Sequence, residues 1–394
     1  MRIIVIGAGI GGLAAALTLR RAGLDVQAFE QAAELREVGA GIQISPNASR
    51  ILNRLGLEEP MRRFGVRPRS ILIRRWDDGR ELARQPLAGV CERDFGAPYY
   101  NFHRADLLDL LSAAVPDGVL HLDHRCVGLK QHPDRVEVQF HNGATADADV
   151  VVGADGIHST VRNAIMGPES PRFSGHVAYR GLVPADRVAH LGVELAANVW
   201  WGPGHHFVHY YVGAGARYHN WVAVTPGEWR VESWTAKGEV AEALKEFEGW
   251  HPQVRAIIGS VETTNRWALY DRDPLPRWTV GRVTLIGDAA HPMLPYMAQG
   301  AVQSIEDAAV LAKCLEHADE HDVAAALSRY EQTRKPRASQ CQEGSRRNGI
   351  INHLADGEEQ RKRDANLASA ATAPLPQNRA WLYGHDVEAE FEHK

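Results

Sequence analysis

The 394-residue sequence predicts an α/β fold in which a mainly antiparallel sheet is inserted into a parallel one, followed by C-terminal helices. Three observations support it. The chain opens with an apolar strand, a glycine-rich turn and a helix, strand-like segments separated by turns fill residues 172–226, and a buried-strand pattern returns at 283–286. We therefore expect the parallel sheet to be assembled from separated segments.

The first unit is a β-α-β pattern over residues 2–30. Residues 2–6 are an apolar run typical of a buried parallel strand, and residues 13–19 are rich in helix formers, with Gly23 placed to end the helix. Residues 24–30 then read as the second strand.

Further segments follow the same logic of periodicity and turn residues. Strands are predicted on both sides of the turn Asp77-Asp78-Gly79, a helix over 104–114, a helical stretch over 239–260, and a helix near 300–316. From about residue 322 onward the chain is mostly helical in pattern.

Composition narrows the function classes. The chain has 44 basic and 49 acidic residues and no long basic run, which argues against a nucleic-acid partner. No apolar stretch of about 18 residues predicts a membrane span. Arg2 leads directly into a strand, leaving no room for a signal peptide, so we expect a cytoplasmic protein. Four widely spaced cysteines without a CxxC pair predict free thiols and no metal site.

The glycine-rich turn predicts a dinucleotide site. Gly7 allows the tight turn, Gly9 lets the backbone approach a pyrophosphate, and Gly12 lets helix and strand pack closely. The helix N-terminus offers free N–H groups to the phosphates. Glu30, at the end of the next strand, can accept hydrogen bonds from ribose hydroxyls, but it does not separate FAD from NAD.

Three further segments resemble the single-component FAD-dependent aromatic hydroxylases, the group A flavoprotein monooxygenases that include salicylate, 3-hydroxybenzoate and 6-hydroxynicotinate hydroxylases. They are GADGIHSTVR at 153–162, GDAAHP at 287–292 continuing to MAQG at 297–300, and FHRADL at 102–107. The resemblance runs from Arg2 to about Arg337. It implies that the cofactor is FAD and that NADH or NADPH is the co-substrate.

The resemblance also implies cofactor contacts. Arg104 is expected to contact FAD, Asp155 to lie near the pyrophosphate and the path of the nicotinamide, and Asp288 to hydrogen-bond the flavin-side ribose. Gln299 and Gly300 open a helix whose positive end would face the isoalloxazine and stabilise reduced flavin. No second glycine-rich unit is present, so Arg162 and the segment around Asp155 are expected beside the nicotinamide.

On this basis we assign residues 1–70, 98–170 and 275–340 to a discontinuous Rossmann-type FAD-binding domain. Residues 71–97 and 171–274 are assigned to a substrate-binding domain, and 341–394 to a C-terminal helical segment.

The substrate side centres on the segment 200–211, which leads into the strand predicted at 207–212. His206 and Tyr210 share one face because side chains alternate along a strand, and by resemblance they bind or deprotonate a ring hydroxyl. His205 and His209 face the other way and are expected to pack. Aromatic residues of this region are expected to keep water out of the site, namely Trp200, Trp201, Phe207, Tyr210 and Tyr211.

Three other positions are assigned to the substrate by resemblance. Gln43 stands where the 6-hydroxynicotinate enzymes carry a histidine, as does Tyr296, and the Pro292 backbone carbonyl is expected near the site. These two departures count against a decarboxylating reaction on a pyridine ring.

The expected function is therefore an FAD- and NAD(P)H-dependent monooxygenase that hydroxylates a small hydroxylated aromatic acid, such as salicylate or 3-hydroxybenzoate. The resemblance implies attack of the substrate phenolate on a flavin C4a-hydroperoxide formed with O2. The alternatives are a decarboxylating 6-hydroxynicotinate 3-monooxygenase-like enzyme, a flavin reductase or dehydrogenase, and a non-catalytic FAD-binding sensor. A homodimer would be ordinary for the family.

Overall fold

The computed structural model describes residues 1–35, 40–228, 236–319, 321–370 and 376–392. Its strands, numbered in chain order, are β1 (Arg2–Ile6), β2 (Asp25–Phe29), β3 (Gly41–Ile44), β4 (Ser70–Arg75), β5 (Glu81–Pro86), β6 (Tyr100–His103), β7 (Leu120–His121), β8 (Cys126–Gln131), β9 (Val136–Phe140), β10 (Thr145–Ala148), β11 (Val150–Gly153), β12 (Arg172–Pro184), β13 (Ala197–Gly202), β14 (His205–Val212), β15 (Tyr218–Pro226), β16 (Lys237–Gly238), β17 (Thr264–Asp271), β18 (Thr279–Val280) and β19 (Val283–Leu285).

Its α-helices are α1 (Ile10–Arg21), α2 (Pro46–Arg54), α3 (Glu58–Phe64), α4 (Val90–Phe95), α5 (Arg104–Ala114), α6 (Thr160–Met166), α7 (Asp186–Ala189), α8 (Val240–Glu246), α9 (Pro252–Ile258), α10 (Gly300–Leu315), α11 (Val323–Asn352), α12 (Glu358–Ala370), α13 (Pro376–Tyr383) and α14 (Ala389–Glu392). Short 3-10 turns lie at Ala214–Ala216, Gly287–Ala289 and Pro295–Met297.

A six-stranded, mostly parallel sheet forms around the first strand, in the order β18-β19-β11-β1-β2-β7. β1 lies between β2 and β11 and is parallel to both. Its residues from Ile3 to Ile6 are all buried, which explains the unbroken apolar run. Only the edge strand β18 runs antiparallel to its neighbour. The structure thus has a parallel β-α-β unit where the sequence predicted one.

The carboxyl ends of four parallel strands meet along one edge of this sheet. The N–H of Gly7 donates to the Phe29 carbonyl at 2.8 Å, and the N–H of Ala154 donates to the Ile6 carbonyl at 2.8 Å. The N–H of Ile286 donates to the Gly153 carbonyl at 2.9 Å. The segments that follow β1, β2, β11 and β19 therefore lie side by side, which is where ligands bind in open α/β sheets.

A second sheet has eight strands in the order β16-β17-β12-β15-β14-β13-β4-β5. All its pairings are antiparallel except that of β13 with β4, which is parallel. Its strands come from two separated parts of the chain, residues 70–86 and 172–271. The predicted strands on both sides of the turn at 77–79 are β4 and β5.

The two faces of the eight-stranded sheet differ in what covers them. One face packs on α8 and α9 through a buried cluster that includes Phe207, Trp221 and Phe247. The other face carries Ala178 and Val224, which pack with Leu294 and the partly buried Tyr296 from the segment after β19. The second face therefore meets the edge of the parallel sheet. The two-stranded sheet of β3 and β6 lies beside this second face, since a Cβ at Gly41 would lie 2.6 Å from the Tyr210 ring.

The later helices build the floor of the parallel-sheet edge. α10 packs against α1 so closely that a Cβ at Gly11 would lie 2.8 Å from the Cβ of Ser304. α11 follows as one continuous helix through Pro336 and crosses position 340, where the sequence analysis placed a domain boundary. The stretch predicted as helical over 239–260 consists of two helices, α8 and α9, the second of which His251 caps. Residues 371–375 of the predicted C-terminal helical segment lie outside the described residues.

Neither a membrane-spanning helix nor a metal-binding cluster is found among the described residues. No helix there is both long and apolar enough to cross a membrane. No group of three or more His, Cys, Asp or Glu side chains there is arranged to hold a metal ion. All four cysteines are buried free thiols.

Candidate active site

The glycine-rich turn has the geometry that a dinucleotide requires. Gly7 has φ +101°, a conformation that favours glycine, and a Cβ at Gly12 would lie 1.9 Å from the Gly7 carbonyl oxygen. A Cβ at Gly9 would meet no atom within 4 Å. Two of the glycines are therefore required by the protein's own packing, whereas Gly9 borders open space at the start of α1, where helix N–H groups are available to phosphate.

Glu30 is engaged by the same turn. Its carboxylate accepts hydrogen bonds from the N–H of Ala8 at 2.7 Å and from the N–H of Ala32 at 3.0 Å. These contacts hold the end of β2 against the glycine-rich turn and fix the carboxylate at the sheet edge. The ribose contact predicted for Glu30 stays a prediction.

Asp155 and Arg162 have structural partners. The Asp155 carboxylate accepts from the Ser159 hydroxyl at 2.5 Å and from the N–H of Val161 at 3.1 Å, so it stabilises the start of α6. Burial raises the pKa of Asp155. Arg162 is 1% exposed and donates to the carbonyls of Ala289 and Ile157. The Arg162 guanidinium therefore does not lie on a surface groove, and its expected contact with the nicotinamide stays a prediction. The cofactor contact of Asp155 stays a prediction.

The loop after β19 brings the late motif to the sheet edge. Asp288 is exposed, and a Cβ at Gly300 would lie 3.9 Å from its Oδ1 atom, so the carboxylate stands beside the start of α10. Arg104 is the first residue of α5, and its backbone N–H donates to the Ala40 carbonyl at 2.8 Å. The predicted FAD contacts of Asp288, Gly300 and Arg104 fit this arrangement and stay predictions.

Gln299 and Pro292 face inward. Gln299 is 1% exposed, and its amide donates to the Ser45 hydroxyl at 3.1 Å and accepts from Asn47 at 3.3 Å. The Pro292 carbonyl accepts from the Gln342 side chain on α11 at 3.1 Å. Both groups thus hold the loop to its surroundings. Their predicted contacts with cofactor and substrate stay predictions.

A buried ionic cluster supports this loop from below. Asp307 on α10 accepts hydrogen bonds from the N–H of Gly287 at 2.9 Å, from His291 at 2.5 Å and from Arg334 at 2.8 Å. Arg334 also donates to Glu306 at 2.6 Å. The four side chains of this cluster are each at most 1% exposed, namely His291, Glu306, Asp307 and Arg334. Gly287, which contributes its backbone N–H, is also buried. The loop is therefore held by charged side chains that have no access to solvent.

Burial and positive neighbours compete at these carboxylates. Burial by itself would raise the pKa of Glu306, but the charge of Arg334 and hydrogen bonds from Arg337 and Asn47 lower it to about 2. Burial likewise opposes ionisation of Asp307, and His291 and Arg334 still lower its pKa. Both carboxylates are therefore ionised in the folded protein.

The substrate face of β14 has the alternation that the sequence predicted. His206 and Tyr210 are each 4% exposed and lie on the face that meets the flavin-loop segment. The His206 ring lies 5.3 Å from the Tyr296 ring, edge to face. His205 points the other way and contacts Glu246 at 3.1 Å, and His209 accepts from the Trp200 indole at 3.0 Å within the α8–α9 core.

Three of the aromatic residues expected to shield the site do not reach it. Trp200, Phe207 and Tyr211 lie with the opposite face of the sheet and pack under α8 and α9. The expectation that they exclude water from the site is wrong, because strand alternation sends them away from His206. Trp201, directly opposite His206 in β13, and Tyr210 remain on the site face.

The Tyr210 end of the site is bounded by β3. The N–H of Gly41 donates to Asn220 at 2.7 Å, which fixes β3 against β15. Gln43, two residues along β3, is half-buried, and its amide lies 3.5 Å from Asn101 of β6. The predicted substrate contact of Gln43 stays a prediction.

The site contains residues that the sequence analysis missed. Nδ1 of His206 lies 2.6 Å from Nε2 of His353, at the end of α11, and the His176 ring stacks on His353 at 4.5 Å between centroids. His353 is 147 residues from His206 and lies beyond the part of the chain in which family motifs were found. No local signal in the sequence links the two. The ionic cluster of Asp307 and Arg334 was missed for the same reason.

Comparison with known proteins shows the family to which the chain belongs. A family model described as an FAD binding domain matches residues 1–345. A 3-amino-4-hydroxybenzoate 2-monooxygenase from Streptomyces platensis is 45% identical over 98% of the chain and 96% of the relative. A 6-hydroxynicotinate 3-monooxygenase from Bordetella bronchiseptica is 37% identical over 99% and 96%. A 3-hydroxybenzoate 6-hydroxylase from Aquipseudomonas alcaligenes is 38% identical over 99% of each chain.

A solved structure also matches. A salicylate hydroxylase in complex with its substrate superposes with a TM-score of 0.85 at 29% identity, covering 100% of this chain and 97% of the other. The mixed α/β fold is thus shared along the full length.

Proposed function

The chain belongs to the FAD-binding-domain family and is an FAD-dependent monooxygenase, and from this premise we propose that it hydroxylates a small hydroxybenzoate-type acid with O2 and NADH or NADPH. The first substrate to test is 3-amino-4-hydroxybenzoate, because a relative with 45% identity over nearly the whole chain is named for it. The observation that carries the proposal is the meeting of His206 with Tyr296, on the sheet face that also presents Tyr210.

The residues present fit FAD. Open space at Gly9, the exposed Asp288 beside Gly300 and the fixed carboxylate of Glu30 line the shared edge of the parallel sheet. When bound, FAD supplies the electrons and the activation of O2 that no side chain can provide. We take the six-stranded sheet as the core of a discontinuous Rossmann-type domain and the eight-stranded sheet as the inserted substrate-binding part.

His206 and Tyr210 divide the work on the substrate hydroxyl. Burial, together with the nearby His353 and His176, lowers the pKa of His206 well below its usual value, so the ring is neutral at neutral pH and offers a lone pair to the substrate hydroxyl, while the same shift makes it a weaker base. Burial raises the pKa of Tyr210, so its hydroxyl stays protonated and donates a hydrogen bond. The phenol loses its proton to His206 while Tyr210 stabilises the oxygen that becomes negative.

The surrounding face is suited to keep water from the reacting centre. Ala178, Val224, Leu269 and Leu294 form a buried apolar cluster on the same side of the sheet as His206. In a water-poor site a hydrogen bond to a developing charge is stronger. The same exclusion would favour transfer of oxygen to the ring over release of hydrogen peroxide.

The test measures turnover of the FAD-loaded protein with a panel of acids. NADH and NADPH oxidation, O2 consumption and product mass would be followed with 3-amino-4-hydroxybenzoate, 3-hydroxybenzoate, salicylate and 6-hydroxynicotinate. We expect one acid to stimulate both consumptions and to gain one oxygen atom. His206→Asn should lower kcat by about 100-fold. His205→Asn is the matched control, because the neighbouring ring points to the other face.

Other outcomes have distinct meanings. Loss of carbon dioxide together with the gain of oxygen would favour the decarboxylating reaction of the 6-hydroxynicotinate type. Stimulated oxidation that yields only hydrogen peroxide with every acid would contradict the proposed substrate class. Wild-type turnover in His206→Asn would refute the role of His206 as base.

A further inference from the structure

The contact between His206 and His353 joins two distant parts of the chain. Nδ1 of His206 lies 2.6 Å from Nε2 of His353, a hydrogen-bond distance. His353 directly follows α11, and its carbonyl accepts from the N–H of Gly204 at 3.1 Å, in the turn between β13 and β14. The end of α11 is thus tied to the start of the strand that carries His206. The backbone of His353 is therefore fixed next to β14, and the two rings contact each other.

The contact restricts which nitrogen of His206 can act. A neutral imidazole has one N–H and one acceptor nitrogen. Because Nδ1 of His206 is occupied by His353, only Nε2 is left for a substrate hydroxyl. Nε2 can accept a proton only if Nδ1 carries the hydrogen, and this requires His353 to be the acceptor in the pair.

The surroundings of His353 favour that arrangement. Its remaining nitrogen, Nδ1, is buried and makes no hydrogen bond among the described residues, and the backbone of Gly349, one helical turn earlier, opposes the lowering of the ring's pKa and so favours a proton on that side. A hydrogen on Nδ1 of His353 leaves Nε2 free to accept. In that tautomer the hydrogen bond between the two rings runs from Nδ1 of His206 to Nε2 of His353 and leaves the acceptor lone pair on Nε2 of His206.

We propose that His353 is the positioning residue that fixes the tautomer and orientation of His206, so that Nε2 of His206 faces the substrate as an acceptor. The proposal rests on the proposed role of His206 as base and extends it. In the step itself the O–H bond of the phenol breaks, an N–H bond forms at Nε2, and the electron pair stays on the phenolate oxygen. No oxidant or reductant is consumed.

A neutral partner suits this buried position. A carboxylate in the place of His353 would add a negative charge next to the forming phenolate, which imidazole does not. Burial, with His176 and His205, lowers the pKa of His353 to about 3, so the ring is neutral in the resting protein. The groups that face the pair are His176 from β12 and Tyr296 from the loop, and the charge of His205, whose ring points to the other face of β14, also lowers the pKa of both rings. None of them supplies a competing carboxylate contact to His206 among the described residues.

The experiment compares His353→Phe with His353→Gln and with the control His176→Phe. Phenylalanine fills the space but cannot accept a hydrogen bond, glutamine can accept through its amide oxygen, and His176 stacks on the same ring without bonding to His206. The first readout is the ¹⁵N NMR spectrum of histidine-labelled, FAD-loaded protein without substrate. We expect a proton on Nδ1 and none on Nε2 of His206 in the wild type and in His176→Phe. We expect this pattern to be lost in His353→Phe.

The second readout is the pH profile of turnover with the acid that the wild type accepts. His353→Phe should lower kcat by about 100-fold, with KM changed by less than about threefold because His353 does not touch the substrate. His353→Gln should recover at least part of kcat. The proposal is overturned if His206 carries its proton on Nε2 in the wild type, if its tautomer is unchanged in His353→Phe, or if kcat and its pH profile survive that change.

Failure of the proposed function gives a different result. If no acid is hydroxylated, the proposed substrate class fails, while the ¹⁵N measurement still decides whether His353 fixes His206. A fall in kcat in His176→Phe as large as in His353→Phe would show that packing around the rings matters and not the hydrogen bond, which also overturns the assignment.

Discussion

A methyl group added at Gly9 tests whether the glycine-rich turn holds the pyrophosphate of FAD. A Cβ there meets no protein atom within 4 Å, and the residue has φ −69° as the N-cap of α1, which alanine adopts freely. Gly9→Ala should therefore change the unfolding free energy of the FAD-free protein by no more than about 0.5 kcal/mol. In the FAD complex the methyl group enters the space assigned to the cofactor. Overpacking costs about 1–3 kcal/mol, so the Kd for FAD should rise about 5- to 150-fold.

Gly12→Ala is the matched contrast. Its Cβ would lie 1.9 Å from the Gly7 carbonyl oxygen, where real Cβ contacts stay beyond 3.0 Å. The turn would have to open by about 1 Å, and because both partners are backbone, the cost should reach about 3 kcal/mol even without FAD. Gly12→Ala is thus expected to destabilise the protein itself, whereas Gly9→Ala is expected to affect only the complex.

The assay combines two measurements on protein stripped of FAD. Quenching of flavin fluorescence on titration gives the Kd, and urea denaturation gives the unfolding free energy. Wild-type FAD affinity in Gly9→Ala would refute the reasoning, because the cofactor would then not pass that residue. An equal loss of stability in both variants would show that the open space at Gly9 is not real.

Three further predictions follow from the buried groups. Arg334→Met leaves the ionised Glu306 and Asp307 buried without their main partner, so urea denaturation should show a loss of about 3–5 kcal/mol. Arg337→Met, whose side chain is 11% exposed, should cost less than half as much, and an equal loss would contradict this account of the cluster. The folded-state pKa of His353, about 3, lies below its ordinary value of 6.5, so its contribution to stability is complete above pH 6.5 and is lost as the pH falls toward 3. Between pH 6.5 and 3, the unfolding free energy of His353→Gln should depend less steeply on pH than that of the wild type, by up to about 1.4 kcal/mol per pH unit. Identical slopes in the two proteins would be inconsistent with a buried neutral ring. Tyr296→Phe removes a buried hydroxyl that has no hydrogen-bond partner among the described residues. Thermal denaturation should therefore show that the stability is unchanged or raised by up to about 1 kcal/mol, while KM for the aromatic acid rises. A clear loss of stability would show that the hydroxyl has a partner in the free protein.

Most of the fold could be predicted because its signals are local. The apolar run of β1, the glycine spacing and the alternation along β14 each follow from the geometry of one element, and the structure has β1, α1 and β14 where they were expected. The helical stretch at 239–260 was harder, since two short helices and one long helix share the same apolar period. The continuity of α11 through Pro336 was missed, because proline ordinarily marks a helix boundary.

The site divides in the same way. The sequence by itself determined that His206 and Tyr210 share one face of β14, since side chains alternate along any strand. It also determined where glycine was required, since the φ of +101° at Gly7 and the close contact at Gly12 arise within one turn. The tertiary structure alone decided what those residues meet. His353 reaches His206 across 147 residues, Arg334 neutralises carboxylates from another helix, and Arg162 is buried where a surface role was expected. These contacts depend on how separate elements pack, and pairing between distant elements leaves no periodic trace in the chain.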